Sequence, residues 1–157
     1  MRALRTLGRR LHEASAGLMV VGDRALAPLG VTSAQWKVLA MLDAEGPLRI
    51  SELVSSLRLD QAATSRLVER LERTGLVTRQ PSEEDRRGGH IVLTGEGTRT
   101  AARCRTVLEP LMQELTEEFD EEGLTAFARA LDAFASRIEA LATRVPPRRT
   151  PRTPGRR

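Results

Sequence analysis

Tyrosine is missing from this chain, and its other aromatics come to three Phe and one Trp. A packed core must then rest on Leu, Val and Ala, and such sparse aromatics offer no fingerprint of any ligand. The single cysteine, Cys104, excludes an internal disulfide and fits a reducing compartment. The two histidines, His12 and His90, fall on separate elements and make no metal site, and CxxC, HExxH, P-loop and GxGxxG patterns are all absent. Neither cofactor nor metal is therefore expected. His90, Ser82 and Asp85 share one hairpin, which supplies no oxyanion hole and no dry cleft, so they do not read as a catalytic triad and no enzyme is expected. No apolar run approaches the roughly 20 residues that span a bilayer. The arginine-bearing start leads into an amphipathic pattern rather than a signal segment, so a cytoplasmic protein without membrane contact is expected.

What is present is a chain of 157 residues, 40% apolar and 29% charged, of a size and composition for one packed domain. The net charge of +4 is unevenly spread. Residues 144–157 carry six arginines and no acid, residues 109–143 carry nine acids against two arginines, and residues 1–108 carry 17 basic residues against 12 acids. Any nucleic acid should therefore meet the first two thirds of the chain. The Pro/Arg-rich tail, 144–157, is expected to be disordered.

Leu4, Leu7, Leu11, Leu18, Val21 and Ala25 recur at helical spacing, which predicts a first helix ending near Pro28 and Gly30. Thr32 and Gln35 form a capping box for a second helix that closes near Gly46 and Pro47. Leu48 to Ile50 makes at most a minor strand. Ser51 is placed to cap a third helix and Asp60 a fourth, with Gly75 as the stop signal of the latter. Two short helices so close together form a helix-turn-helix. Leu76 to Arg79 and Ile91 to Leu93 then read as the strands of a hairpin turned by Gly88 and Gly89. Thr94 caps a long fifth helix in which Pro110 predicts a kink. In the last helix Phe127, Leu131, Phe134, Ile138 and Leu141 step by four and three, a seam suited to packing on another helix.

The fold class is thus mainly α with a small β-hairpin wing: a winged helix-turn-helix core over residues 32–94, flanked by dimerisation helices at 1–29 and 95–143, all in a single domain 1–143. Both chain ends carry apolar seams that one copy cannot bury alone, so a homodimer is expected.

The segment ISELVSSLRLDQAATSRLVERLERTGLVTR, followed by EEDRRGGHIVLTGEG, resembles the MarR family of transcription regulators over most of residues 4–142. A helix-turn-helix alone is shared by many families; the DRR and LT pattern after GLV is the specific part. The resemblance implies a homodimer on a pseudo-palindromic double-stranded DNA operator, usually a repressor released by a small ligand or an oxidant. Two-fold symmetry would then bring two recognition helices into successive major grooves about 34 to 36 Å apart.

On the fourth helix, the side opposite Leu67, Val68 and Leu71 carries Gln61, Ala62, Ser65, Arg66, Glu69, Arg70 and Arg73. Gln61 and Arg66 are candidates for base edges, since Gln pairs with adenine and Arg with guanine in bidentate fashion. Ser65 allows close approach, and Arg70 and Arg73 reach phosphate or form a solvated face. Ser51, at a helix start, is either a cap or part of a first turn aimed at phosphate. In the wing, the resemblance implies that Arg87 enters the minor groove and that Asp85 steadies an arginine; Arg86 is a phosphate contact or a solvated neighbour. The same resemblance places a small-molecule pocket where the first and second helices meet the fifth. His12 and Trp36 are its candidates here, against the plainer readings of a surface histidine and a core tryptophan. It also places the usual peroxide-sensing cysteine in the first helix, so Cys104 in the fifth reads as a buried structural thiol. The alternative function is a winged-helix protein-interaction module without sequence-specific DNA binding; arginines in both helix and wing argue against it.

Overall fold

The computed structural model describes residues 2–81, 89–142 and 144. Helix α1 (Arg2–Leu26) runs into a 3-10 turn (Ala27–Leu29) that contains Pro28. Gly30, at φ 67°, adopts the left-handed conformation that glycine tolerates, and its N–H donates to Ala27 O at 3.0 Å. The first helix thus stops where Pro28 and Gly30 predicted.

Helix α2 (Ser33–Glu45) starts at the expected capping box, with Gln35 N donating to Thr32 Oγ1 at 3.2 Å and Thr32 N to Gln35 Oε1 at 2.9 Å. Helix α1 adds a second cap: Ser33 N donates to Asp23 Oδ1 at 2.6 Å, and Ser33 Oγ donates to Met19 O at 3.2 Å. The Ser33 backbone amide, which donates to the charged form, is the main cause that holds the Asp23 carboxyl below its ordinary pKa.

Helix α3 (Ile50–Leu57) corrects one expectation. Its N-cap is Arg49, not Ser51: Glu52 reaches back to accept from Arg49 N at 2.6 Å, which starts the helix two residues earlier than a serine cap would. Ser51 lies in the first turn, where its carbonyl accepts from Ser55 Oγ at 3.0 Å. Arg58 then turns the chain in the left-handed region, at φ 57°, before Asp60 caps α4 (Gln61–Arg73) by accepting from Ala63 N at 2.7 Å.

Gly75 N donates to Glu72 O at 2.9 Å and Leu76 N to Leu71 O at 3.0 Å, closing α4 with a Schellman motif around Gly75 at φ 71°. That motif absorbs Leu76, so the strands are β1 (Val77–Gln80) and β2 (His90–Leu93), one residue away from the sequence expectation at those ends. They pair antiparallel in the register Val77↔Leu93 to Gln80↔His90. Leu48 adds a single bridge on the far side of β2, its amide and carbonyl exchanging bonds with Ile91 at 3.1 and 2.7 Å. Thr94 caps α5 (Gly95–Thr116), which continues through Pro110 as helix, and α6 (Glu121–Ala142) follows.

The chain divides into two compact units, Met1–Met112 and Gln113–Arg157. In the first, Leu26, Val38, Leu39, Leu53, Val68, Leu71, Ile91 and Cys104 are fully buried, so α1, α2, α3, α4, β2 and α5 all lend side chains to one aliphatic core. Each such leucine stabilises by roughly 1.5 to 3 kcal/mol relative to exposure. Thr64 is buried among them with its hydroxyl satisfied by Asp60 O at 3.0 Å. In the second unit α6 exposes Leu124, Phe127, Leu131, Phe134, Ile138 and Leu141, each between 40% and 55% accessible. Phe127 stacks on Phe119 with ring centroids 5.8 Å apart.

Candidate nucleic-acid interface

Helix α4 is amphipathic in a way that fixes what it can present. Thr64, Val68 and Leu71 are buried and Leu67 packs against the core, so the remaining face points away from it. On that face Gln61, Ala62, Arg66, Glu69, Arg70 and Arg73 are exposed, and Ser65 is half-buried. Among the described residues no carboxylate pairs with Arg66, Arg70 or Arg73, leaving their guanidinium donors available. The helix N-terminus, with Gln61 in its first turn, also carries the positive end of the helix dipole. Three guanidinium groups on one exposed helical face, with an exposed amide at the helix start, can meet base edges and phosphate oxygens together. Ser51 is exposed in the first turn of α3.

The wing stands on α4 through contacts that sequence periodicity does not reveal. Arg79 on β1 donates through Nε to both carboxylate oxygens of Glu72, at 3.2 and 3.1 Å. Thr94 Oγ1 donates to Gly75 O at 2.6 Å, Thr94 N donates to Leu76 O at 3.1 Å, and the same hydroxyl accepts from Gly97 N at 2.9 Å. One threonine thereby ties the end of the recognition helix to the end of β2 and the start of α5. Gly97 is required by this packing, because a Cβ there would overlap the Leu76 carbonyl oxygen. At the turn end of the hairpin, Gly89 at φ 61° lies against the Gln80 carbonyl. Asp85, Arg86 and Arg87, with Ser82 and Gly88, lie outside the described residues. His90 is half-buried and pairs across the hairpin with Gln80.

The first unit also holds a cavity of about 530 Å³ between α1, α2 and α5. Leu18, Met19, Trp36, Leu108 and Met112 form its apolar wall, and Lys37, Arg105 and Glu109 are its charged lining. Trp36 thus stands where a ligand candidate was expected. His12 does not: it is exposed on α1, three residues before Ser15, and lies past the end of the lining. Arg105 is ion-paired with Asp43 of α2. Cys104, beside Arg105 in sequence, is buried, and desolvation pushes its thiol pKa up, against a smaller opposing pull from Arg103. It is a neutral thiol rather than a poised thiolate. Among the described residues no cluster of His, Cys, Asp and Glu could hold a metal ion, and no helix is long and apolar enough to cross a membrane.

Comparison with known proteins places this architecture. The MarR family model matches residues 31–88, from just before α2 to just short of β2. The multiple antibiotic resistance protein MarR of Escherichia coli is 33% identical over 112 residues, covering 71% of this chain and 78% of that protein. The HTH-type transcriptional regulator YwoH of Bacillus subtilis is 30% identical over 121 residues, covering 75% of this chain and 88% of the relative. Among solved structures, a cysteine-to-serine mutant of E. coli MarR complexed with operator DNA superposes with a TM-score of 0.76 at 28% identity, covering 84% of this chain and 95% of that one. With the winged helix-turn-helix, the exposed arginine face of α4 and relatives of this identity and coverage, the chain belongs to the MarR family, whose members are transcriptional regulators rather than enzymes.

Proposed function

We propose that this protein is a cytoplasmic, homodimeric repressor that binds a pseudo-palindromic operator and is released by a small ligand. The observation that carries the reading is the exposed face of α4, which presents Arg66 and Arg70 without counter-ions among the described residues, with Gln61 exposed at the helix start and the wing anchored to α4 by Glu72 and Arg79. Gln61 and Arg66 read base edges in the major groove; Ala62 and Ser65 permit close approach; Arg70 and Ser51 meet phosphate. Asp85, Arg86 and Arg87 act at the wing tip, Arg87 in the minor groove, as the family resemblance implies.

A second copy covers the apolar seam of α6, since five residues at heptad spacing left near half exposed are costly in water. Residues 1–143 act as one functional domain and the arginine-rich tail adds unspecific charge. The cavity lined by Trp36 receives the effector.

Selection of bound sequences from a random DNA pool, followed by titration of the selected duplex at several salt concentrations, tests the reading. We expect a two-fold symmetric consensus and an affinity that falls steeply as salt rises. Arg66→Ala should lose about 1 to 3 kcal/mol of discrimination at one base position while leaving the dimer intact. Failure to enrich any sequence, with no salt-dependent binding to any duplex, would leave a winged-helix protein-interaction module as the better account.

A further inference from the structure

Helix α3 breaks local rules that the other helices keep, and it does so with an arginine at each end. Among the described residues, α2, α4, α5 and α6 start at Thr32, Asp60, Thr94 and Asp120, whose side-chain oxygens each accept the backbone N–H three residues on. Helix α3 starts at Arg49, a side chain with no acceptor, which brings a cation to the positive end of the helix dipole. Glu52 supplies its own half of a capping box by accepting from Arg49 N at 2.6 Å, and the other half is missing. At the far end Arg58, at φ 57°, is the sole described residue other than glycine with a positive φ; Gly30, Gly46, Gly75 and Gly89 hold the rest. A Cβ in that region crowds its own backbone, and glycine removes the crowding. A serine at the first position and a glycine at the second would each favour the fold. Departures from local preference gather where function holds them in place.

We infer that Arg49 and Arg58 form a two-point clamp on the DNA phosphate backbone, one cation at each end of α3. The inference rests on the reading of the protein as a DNA-binding regulator. In a helix-turn-helix the first helix crosses the backbone while the second enters the major groove. Here α3 is the first helix, and Arg58 is exposed in the turn, three residues before Gln61 at the start of α4. At a rise of about 1.5 Å per residue, the backbones of Arg49 and Arg58 lie roughly 13 Å apart, so the two guanidinium groups serve different phosphates. Phosphate contacts fix position and carry no sequence information. The clamp therefore sets affinity and salt dependence, and leaves base preference to α4.

The test compares the full chain with Arg49→Ser, which completes the capping box with Glu52, and with Arg58→Gly. Arg49→Lys and Arg58→Lys keep the charge, and Arg103→Gln removes one exposed charge from α5 as a control. In urea unfolding at one fixed protein concentration, Arg49→Ser and Arg58→Gly should each raise the midpoint by about 0.5 M. On the selected duplex the same two variants should bind more weakly. Their plots of log affinity against log salt should flatten by about two, one phosphate for each protomer of a dimer. The lysine variants and Arg103→Gln should keep the wild-type slope, and all should select the same consensus from the random pool. Higher stability with weaker binding is a pairing that loss of a merely structural residue does not produce. An unchanged slope or a lowered midpoint in either Arg49→Ser or Arg58→Gly, or an equal flattening in Arg103→Gln, overturns the clamp while wild-type binding leaves the regulator reading intact. A wild-type protein that binds no duplex overturns both.

Discussion

Replacing Gly97 by alanine sets two known effects against each other at the foot of the wing. In a helix, alanine is favoured over glycine by about 0.8 to 1.0 kcal/mol, so propensity alone makes Gly97→Ala stabilising. The packing says otherwise. A Cβ on Gly97 would overlap the Leu76 carbonyl oxygen and stand 3.2 Å from Leu93 Cδ2. The first of these neighbours is backbone, fixed by the Schellman turn and by β1, and cannot swing aside. The start of α5 must move away, which strains or breaks the bonds from Thr94 N to Leu76 O and from Thr94 Oγ1 to Gly75 O. Two hydrogen bonds at about 1 kcal/mol each, with overpacking of about 1 to 3 kcal/mol, exceed the propensity gain, leaving a net loss of about 2 kcal/mol at the least. Gly95→Ala is the control: its Cβ would meet only Arg99 Nη1 at 3.7 Å, so propensity should act unopposed. Urea unfolding at one fixed protein concentration should lower the Gly97→Ala midpoint by about 1 M, given a slope of about 2 kcal/mol per molar, while Gly95→Ala holds or gains. A Gly97→Ala protein as stable as Gly95→Ala would refute the packing argument.

Three further outcomes follow from other parts of the molecule. Phe134→Glu on the α6 seam should yield monomers by sedimentation with the helical content of the first unit retained; an unchanged dimer would remove the seam from the assembly. Cys104 should resist iodoacetamide at neutral pH in the folded protein and react in urea, since burial holds the thiol protonated; fast labelling of native protein would contradict this. The Asp23 carboxyl has a folded pKa below its unfolded value, so its contribution to stability is present above the unfolded pKa and is lost as pH falls through the folded one. Asp23→Asn should therefore be less stable than wild type at pH 7, with the gap closing below about pH 4, and a gap that persists at pH 2 would show that the carboxylate charge is not what matters.

Elements with strong local signals are legible in the sequence. Thr32 with Gln35, Asp60, Gly75 and Thr94 each act within one helical turn of themselves; Gly75 ends α4 and the others start α2, α4 and α5, as read. Ser51 was misplaced because a serine competes for the cap with any residue whose N3 partner is a glutamate, and Glu52 serves Arg49. The exposed face of α4 was legible because helical periodicity alone decides which side Leu67, Val68 and Leu71 leave free. The pairings of Glu72 with Arg79 and of Arg105 with Asp43 were not, because the partners are seven residues apart across a turn in one case and sixty-two residues apart in the other. For His12 the plainer reading of a surface histidine matches its exposure: it shares a side of α1 with Ser15, Met19 and Gly22, but the cavity lining ends one turn short of it.

The same few residues serve both stability and recognition, and this constrains how the protein can be switched. Leu71 and Ile91 are core residues, yet Leu71 accepts the hydrogen bond that ends the recognition helix and Ile91 is the strand residue to which Leu48 bridges. Truncating either would cost about 2 to 5 kcal/mol, a large share of the stability of any domain this size. A regulatory signal cannot act by disturbing them without unfolding the protein. It must act on ties weak enough to break and close enough to the wing to matter, which in the first unit means exposed ion pairs such as Arg79 with Glu72 and Arg105 with Asp43. Arg79 lies on the wing itself and away from the cavity. Arg105 alone of these four side chains lines the cavity, so of the two pairs only Arg105 with Asp43 borders that space.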